Sequence, residues 1–284
     1  MTPTLPYSGT QAVLRAVSLL KAFSDARPEL GLTELSRALG LNKTTTYRLL
    51  TALESEGMVT RSPARDGYRL GPEAIALGSR ALRSNDLRST SRSDLETLAR
   101  ETHETATLEV LAGGQVLILD EIPGSHVVGT LQSIGTLWPA HATSTGKALL
   151  ANLPEAELRA ALRAPLAQLT ERTIATPDAL LDDLRRVREQ GYATAIEELE
   201  RGYVAVGAPV RNHEGRAIAA ISVGGPGLRL TAERVPEIVR LVKEAAGRIS
   251  RRLGYVTRAP GAGTTAPPAP LRSGDCSASV AGVV

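Results

Sequence analysis

The 284-residue chain is poor in sulfur and in rings. It has one cysteine, Cys276, and its Phe, Trp and Tyr together make up 3% of the residues. A single thiol excludes an intrachain disulfide and any cysteine-built metal site, and four scattered histidines offer no metal-ligand spacing. With so few aromatics, the core has to be assembled from Leu, Val, Ile and Ala. No apolar run approaches the ~20 residues a membrane-crossing helix needs. The opening MTPTLPYSGT has neither the basic start nor the apolar stretch of a signal peptide. These absences predict a cytoplasmic protein that needs no membrane, metal or other cofactor. What is present, 42% hydrophobic and 22% charged residues, is the make-up of a soluble globular chain, and the length suits about two domains.

The densest signal lies in residues 31–69, GLTELSRALGLNKTTTYRLLTALESEGMVTRSPARDGYR. Thr33 is a good N-cap for a short helix whose Leu35, Ala38 and Leu39 share one face. Gly40 ends that helix and Asn42 can cap the next. In the second helix Thr46, Leu49, Leu50 and Leu53 form the apolar face, and Thr44, Tyr47, Arg48 and Thr51 the opposite one. Hydroxyls, a phenol and a guanidinium suit phosphates and base edges better than the Glu and Lys of an ordinary surface helix. Asn42 and Lys43 sit at the end where helix dipole and free N–H groups favour phosphate. Asp66-Gly67 then signals a hairpin carrying Arg61, Arg65 and Arg69. Two helices, a tight turn and a basic hairpin make a winged helix-turn-helix, and its expected partner is double-stranded DNA. Residues 1–71 hold nine Lys and Arg against six Asp and Glu, and the remainder is balanced at 24 of each, so the net +3 lies in this segment.

Around it the chain divides into a loose lead (1–8), the DNA-binding domain (9–71), a linker helix (72–85), a second domain (86–255) and a disordered Ala/Pro/Gly/Ser-rich tail (256–284). A helix over 11–24 places Val13, Ala16, Val17, Leu20 and Phe23 on one face, to pack behind the two helices. Pro72 opens the linker helix, whose Ile75, Leu77, Ala81 and Leu82 suit either a dimer contact or packing on their own domain. In the second domain strands are expected at 106–111, 115–121, 127–132, 192–196, 204–210 and 217–223. Helices are expected around Leu87, Leu95 and Leu98, then at 143–151, 155–162, Pro177–Gln190 and 231–253. Strands with neighbouring hairpins, bracketed by helices, indicate α+β with a largely antiparallel sheet.

A small-molecule site is expected where hydroxyl residues start the helix at 143, since Ser144 and Thr145 open it with N–H groups able to receive a carboxylate. Trp138 either walls the cleft or belongs to the core. Ser222, in an apolar strand, is a ligand contact or a hydroxyl satisfied by backbone. His141 reads as structural. Ser144 and Lys147 also fit the S-x-x-K pattern of a serine acyl-hydrolase, the rival reading, but S-D-N and K-T-G companions are absent. Gly146-Lys147 lacks the Gly and Ser/Thr that complete a phosphate loop. No catalytic residue is assigned.

Four blocks carry a resemblance over residues 11–255: LNKTTTYRLLTALESEGMV with GYRLGP, PAHATSTGKALLA, GYATAIEELERGYVAVGAPV and AIAAISVGGP. In order and spacing they resemble the IclR (isocitrate lyase regulator) family of bacterial transcriptional regulators. The resemblance implies a winged helix-turn-helix, a linker helix and a C-terminal GAF-like domain binding a small effector. It implies a homodimer or dimer of dimers, more often a repressor. It places Thr45, Tyr47 and Arg48 in the DNA-facing stretch, and Ser144, Thr145, Ala205, Ser222 and Gly224 at effector-pocket positions. A family acid is Ala195 here, with Glu197 and Glu198 nearby, and Ala205 and Gly224 stand where polar side chains are common. The expectation is an effector that bears a carboxylate yet is less polar or larger than a small keto acid.

Overall fold

The computed structural model describes residues 10–24, 26–62, 66–126 and 134–256. The expectations for the lead, for Arg65, for a strand at 127–132 and for the tail beyond 256 lie outside the described residues.

The N-terminal part opens with α1 (Gln11–Leu20), α2 (Leu32–Ala38) and α3 (Lys43–Ser55), followed by β1 (Val59–Arg61) and β2 (Tyr68–Leu70). The strands pair antiparallel, and Leu30 adds a bridge to Tyr68, so the segment before α2 backs the wing. Leu19, Phe23, Leu30, Leu35, Leu50, Val59 and Tyr68 form the core, with Leu39, Leu49 and Leu53 against it. Three readings are corrected here. α2 is capped by Gly31, whose N–H donates to Glu34 across one turn, and Thr33 is already helical. The buried polar residue of that helix is Ser36, which donates to the Thr33 carbonyl, whereas Ala38 is exposed. Helix α1 ends before Phe23 and docks through Leu19, Leu20 and Phe23, leaving Val13 and Val17 exposed.

α4 (Pro72–Arg83) starts on Pro72 and buries no residue, and α5 (Asp86–Thr102) follows under an Asn85 cap. Next come β3 (Thr105–Ala112) and β4 (Gln115–Ile122), joined at Gly113-Gly114. Both glycines have positive φ, the backbone that lets a two-residue turn match the strand twist. β5 (Leu137–Pro139) leads through a 3₁₀ turn at Ala140–Ala142 into α6 (Ser144–Leu150). α7 (Glu155–Ala161), α8 (Pro177–Gln190), β6 (Ala193–Ile196), β7 (Tyr203–Arg211), β8 (Ala217–Pro226) and α9 (Val235–Arg252) complete the order. β5 was not foreseen, and α9 starts at Val235 rather than at residue 231 because residues 227–234 are spent in turns.

The sheet runs β5-β4-β3-β8-β7-β6 with every pair antiparallel. Side chains alternate between its faces. Leu108, Val206, Ile221 and Val223 meet α5 and α9 on one side. Ala220 and Val116 meet α6 and α8 on the other. At Leu108/Glu109 the register slips: Leu108 faces Asp120 but Glu109 faces Ile118, so Leu119 is the extra residue of a β-bulge. The bulge turns Asp120 toward α5, where Arg88 and Arg92 reach its Oδ1 at 3.2 and 2.8 Å.

Candidate functional site

Helix α3 owes its start to Asn42, whose Oδ1 accepts the Thr45 N–H at 2.8 Å, while the Thr46 hydroxyl bonds back to the Asn42 carbonyl. With Thr46 and Leu50 buried beneath, Lys43, Thr44, Tyr47, Arg48 and Thr51 are exposed on the outer side and Thr45 is half-buried. Thr33 and Arg69 are exposed as well. Arg61, also exposed, is not wholly free: it stands 5.5 Å over the Tyr68 ring and 3.5 Å from Glu54, and these neighbours raise its pKa further. The outward residues of α3 thus carry no acid, and two wing arginines lie on the following hairpin.

The second site lies where α6 crosses β7 and β8. Gly207 allows the crossing, because a Cβ there would stand 2.9 Å from the Ser144 carbonyl carbon. Between helix and sheet is a cavity of about 10 Å³, room for one water molecule, lined among others by Glu109, Trp138, Ser144, Thr145, Ala205 and Ser222. Ala195, Leu199 and Tyr203 complete one wall. Thr143 caps α6, accepting the Gly146 N–H at 3.1 Å. His141 is buried and bonds the Ala167 carbonyl, the structural role expected of it. Gly224 does not line the cavity. It lies under Tyr203, whose hydroxyl would be 2.0 Å from a Cβ at that position. Its role is to seat that ring.

Glu109 is the site residue sequence reading missed. It is 4% exposed. The Thr145 hydroxyl donates to one of its oxygens at 2.5 Å and the Thr107 hydroxyl to the other at 2.8 Å, and Ser222 bonds Thr107 in turn. Burial pushes its carboxyl above the ordinary range, against the pull of Thr145 and Thr107. The available signal was the alternation Thr105, Thr107, Glu109 in a strand whose other face is Ala106, Leu108, Val110. A buried acid here bears against the expected carboxylate-bearing effector.

The rival acyl-hydrolase loses its base. Lys147 is buried, with Nζ 2.7 Å from Glu198 and 3.0 Å from Asp183. An amine committed to two carboxylates is not free to take a proton from Ser144. Burial raises the Glu198 pKa and Lys147 opposes that shift. Among the described residues no His, Cys, Asp or Glu cluster could hold a metal, and no helix is long and apolar enough to cross a membrane.

Comparison with known proteins assigns both parts of the chain to one family. Residues 12–63 match the family described as IclR helix-turn-helix domain, and residues 79–251 match bacterial transcriptional regulator IclR C-terminal. The chain belongs to the IclR family. It is a DNA-binding transcriptional regulator with an effector-binding C-terminal domain, not an enzyme. It is 36% identical to the HTH-type transcriptional regulator XynR of Escherichia coli, over 86% of this chain and 98% of that one. It is 32% identical to the transcriptional repressor IclR of the same organism, over 88% and 93%. A putative IclR regulator from Silicibacter superposes with a TM-score of 0.78 at 29% identity, covering 87% and 98%. An IclR homologue from Microbacterium hydrocarbonoxydans, solved with 4-hydroxybenzoate, gives 0.72 at 27% identity, covering 86% and 99%. In IclR terms, the helix-turn-helix match ends at the wing and the C-terminal match begins inside α4, so the linker helix joins the two.

Proposed function

We propose that this IclR-family chain acts in the cytoplasm as a homodimeric repressor whose grip on its operator is set by a small organic molecule bound between α6 and the sheet, where the one-water cavity has to widen to receive it. The observation that carries the DNA half is the outer face of α3: an Asn42-capped N-terminus followed by exposed Lys43, Thr44, Tyr47 and Arg48. Thr33, Thr45, Arg61, Arg65 and Arg69 are the flanking candidates for phosphate contact. The effector half rests on Trp138, Ser144, Thr145, Ala205 and Ser222 meeting around one cavity, with Gly224 supporting Tyr203. A repressor is favoured by the relative named as one. Self-association is favoured by Val13, Leu14 and Val17 of α1 and Ile75 and Leu77 of α4, apolar side chains left in solvent. Two copies would set two α3 helices in successive major grooves of a two-fold site. An effector that prefers one arrangement of the α4 helices would change operator affinity about 5–150-fold.

The test is binding of the full chain to its own upstream intergenic DNA and to random DNA at one salt concentration, with and without a panel of small metabolites. Preference for the upstream DNA, altered by one compound, is the expected result. Equal affinity for both DNAs by a folded protein would overturn an operator in that region, and sequence-specific binding that no compound alters would overturn effector control.

A further inference from the structure

The cations of α9 are neutralised on one flank of the helix and not on the other. Toward α5, Arg240 pairs with Glu244 at 3.0 Å, Arg248 pairs with Asp94 at 2.7 Å, and Arg252 also pairs with Asp94. Toward β7, Lys243 and Arg251 line a pocket of about 170 Å³ together with Arg211, Tyr255 and a floor of small residues that includes Ala208 and Gly247. No acid is among its described lining residues, and none of the three cations has a carboxylate partner among the described residues. The volume is room for roughly a dozen waters, against one in the α6 cavity. Lys243 and Arg251 at its rim are exposed.

Two features of the chain open this pocket. β6 begins at Ala193, opposite Gly207, while β7 runs on to Arg211 with β8 alone beside it among the described residues, which leaves a notch at the sheet border. Facing the notch, α9 carries Gly247 one turn from Lys243 and one turn from Arg251. A glycine inside a helix costs stability. Packing does not demand this one, since a Cβ there would meet only the Arg251 Nη1, at an ordinary 3.6 Å. Its bareness supplies depth between two cations. Those cations also keep donors in hand. Lys243 gives one of three N–H groups to the Gln190 carbonyl, at 2.8 Å. Arg211 gives two of five, to the Gly215 carbonyl at 3.0 Å and to Asn152 Oδ1 at 2.6 Å. These partners are neutral, so all three positive charges remain.

We propose that this pocket is a second ligand site, separate from the α6 cavity, and that it binds the phosphate of a small phosphomonoester. Three cations without an acid exceed what the single charge of a carboxylate calls for. A phosphomonoester brings nearly two charges and three strong acceptor oxygens, which suit guanidinium and ammonium donors. The Tyr255 ring, with the Arg211 guanidinium 6.0 Å from its centroid, walls the space left for the organic part. The two pockets share no lining residue. Nor does the chain supply an acidic segment of its own after Tyr255: residues 257–284 hold Asp275 against Arg258 and Arg272.

The experiment is calorimetric titration of the full chain at one pH and ionic strength with matched probes: phenyl phosphate against benzoate, and ribose 5-phosphate against ribose. The expected result is at least one phosphate ester binding about 10-fold or more tightly than its counterpart. Arg251→Gln should weaken that ester about 10-fold. Gly247→Leu, which fills the dent with a better helix former, should abolish its binding. Ala205→Trp, in the α6 cavity, should leave it unchanged. Each variant is verified by circular dichroism and a cooperative melt. Ester binding that survives both Arg251→Gln and Gly247→Leu, or that Ala205→Trp removes, lies elsewhere and overturns the proposal. So does benzoate binding as tightly as phenyl phosphate, or no binding by either ester. If neither ester binds and Arg251→Gln weakens binding to random DNA, the cations serve the DNA backbone, and the proposal falls.

Discussion

Asn42 holds two positions at once, capping α3 and facing outward at the end proposed to meet DNA. The two roles separate by substitution. Asn42→Ala should cost about 1 kcal/mol of stability through the lost cap, read as a lower melting temperature. Asn42→Asp keeps the cap but brings negative charge to phosphate, so stability should hold while DNA affinity falls. One helical turn on, Arg48→Ala should cost about 1–3 kcal/mol on operator DNA and relax preference at one base pair. Equal loss on operator and random DNA would make Arg48 a phosphate contact. Glu109 gives a prediction that needs no DNA. Burial raises its pKa above the ordinary 4.5, so the folded state holds a proton that the unfolded chain releases. Its contribution is therefore complete below about pH 4.5 and is lost as pH rises through the raised value. In urea melts across pH, Glu109→Gln should flatten that decline, and an unchanged slope would count against a raised carboxyl.

Among the elements, α6 depends most on what it crosses. It lies close to β7 because residue 207 has no side chain, and its own Gly146 passes Ala140, whose carbonyl oxygen would be 2.1 Å from a Cβ. Gly146→Ala or Gly207→Ala meets backbone rather than a flexible side chain, so α6 must lift. Each should cost about 1–3 kcal/mol in chemical denaturation and distort the cavity. The alternation in β3, β4, β7 and β8, the Gly113-Gly114 turn and the Pro177–Gln190 helix were all readable, because each depends on neighbours in sequence. The bulge at Leu119 was not, since it appears only when β4 is laid against β3. Glu109 escaped for a related reason. An acid in an apolar strand reads as solvated until Thr145, 36 residues later, is brought onto it. The same holds for Lys147, whose partners Asp183 and Glu198 come from α8 and the loop before β7.

For the whole molecule, the legible part was the order of the helix-turn-helix, linker and sheet domain, and the misread part was the outward face of α1. That helix has apolar residues on two sides, and its own core takes Leu19 and Leu20, leaving Val13, Leu14 and Val17 in solvent, as Ile75 and Leu77 are on α4. A sequence does not say which apolar side belongs to the chain and which to a second copy. If these faces join two copies, Val13→Glu with Ile75→Glu should convert a dimer to a monomer in light scattering and weaken operator binding. An unchanged mass would place the dimer contact elsewhere. The sheet has one more consequence. Among the described residues it ends on β5 and β6, strands of three and four residues, while its long strands are enclosed between neighbours. Unpaired backbone on such short borders gives an incoming strand little to extend. Stacking of copies edge to edge into fibrils would find few backbone groups there to start from.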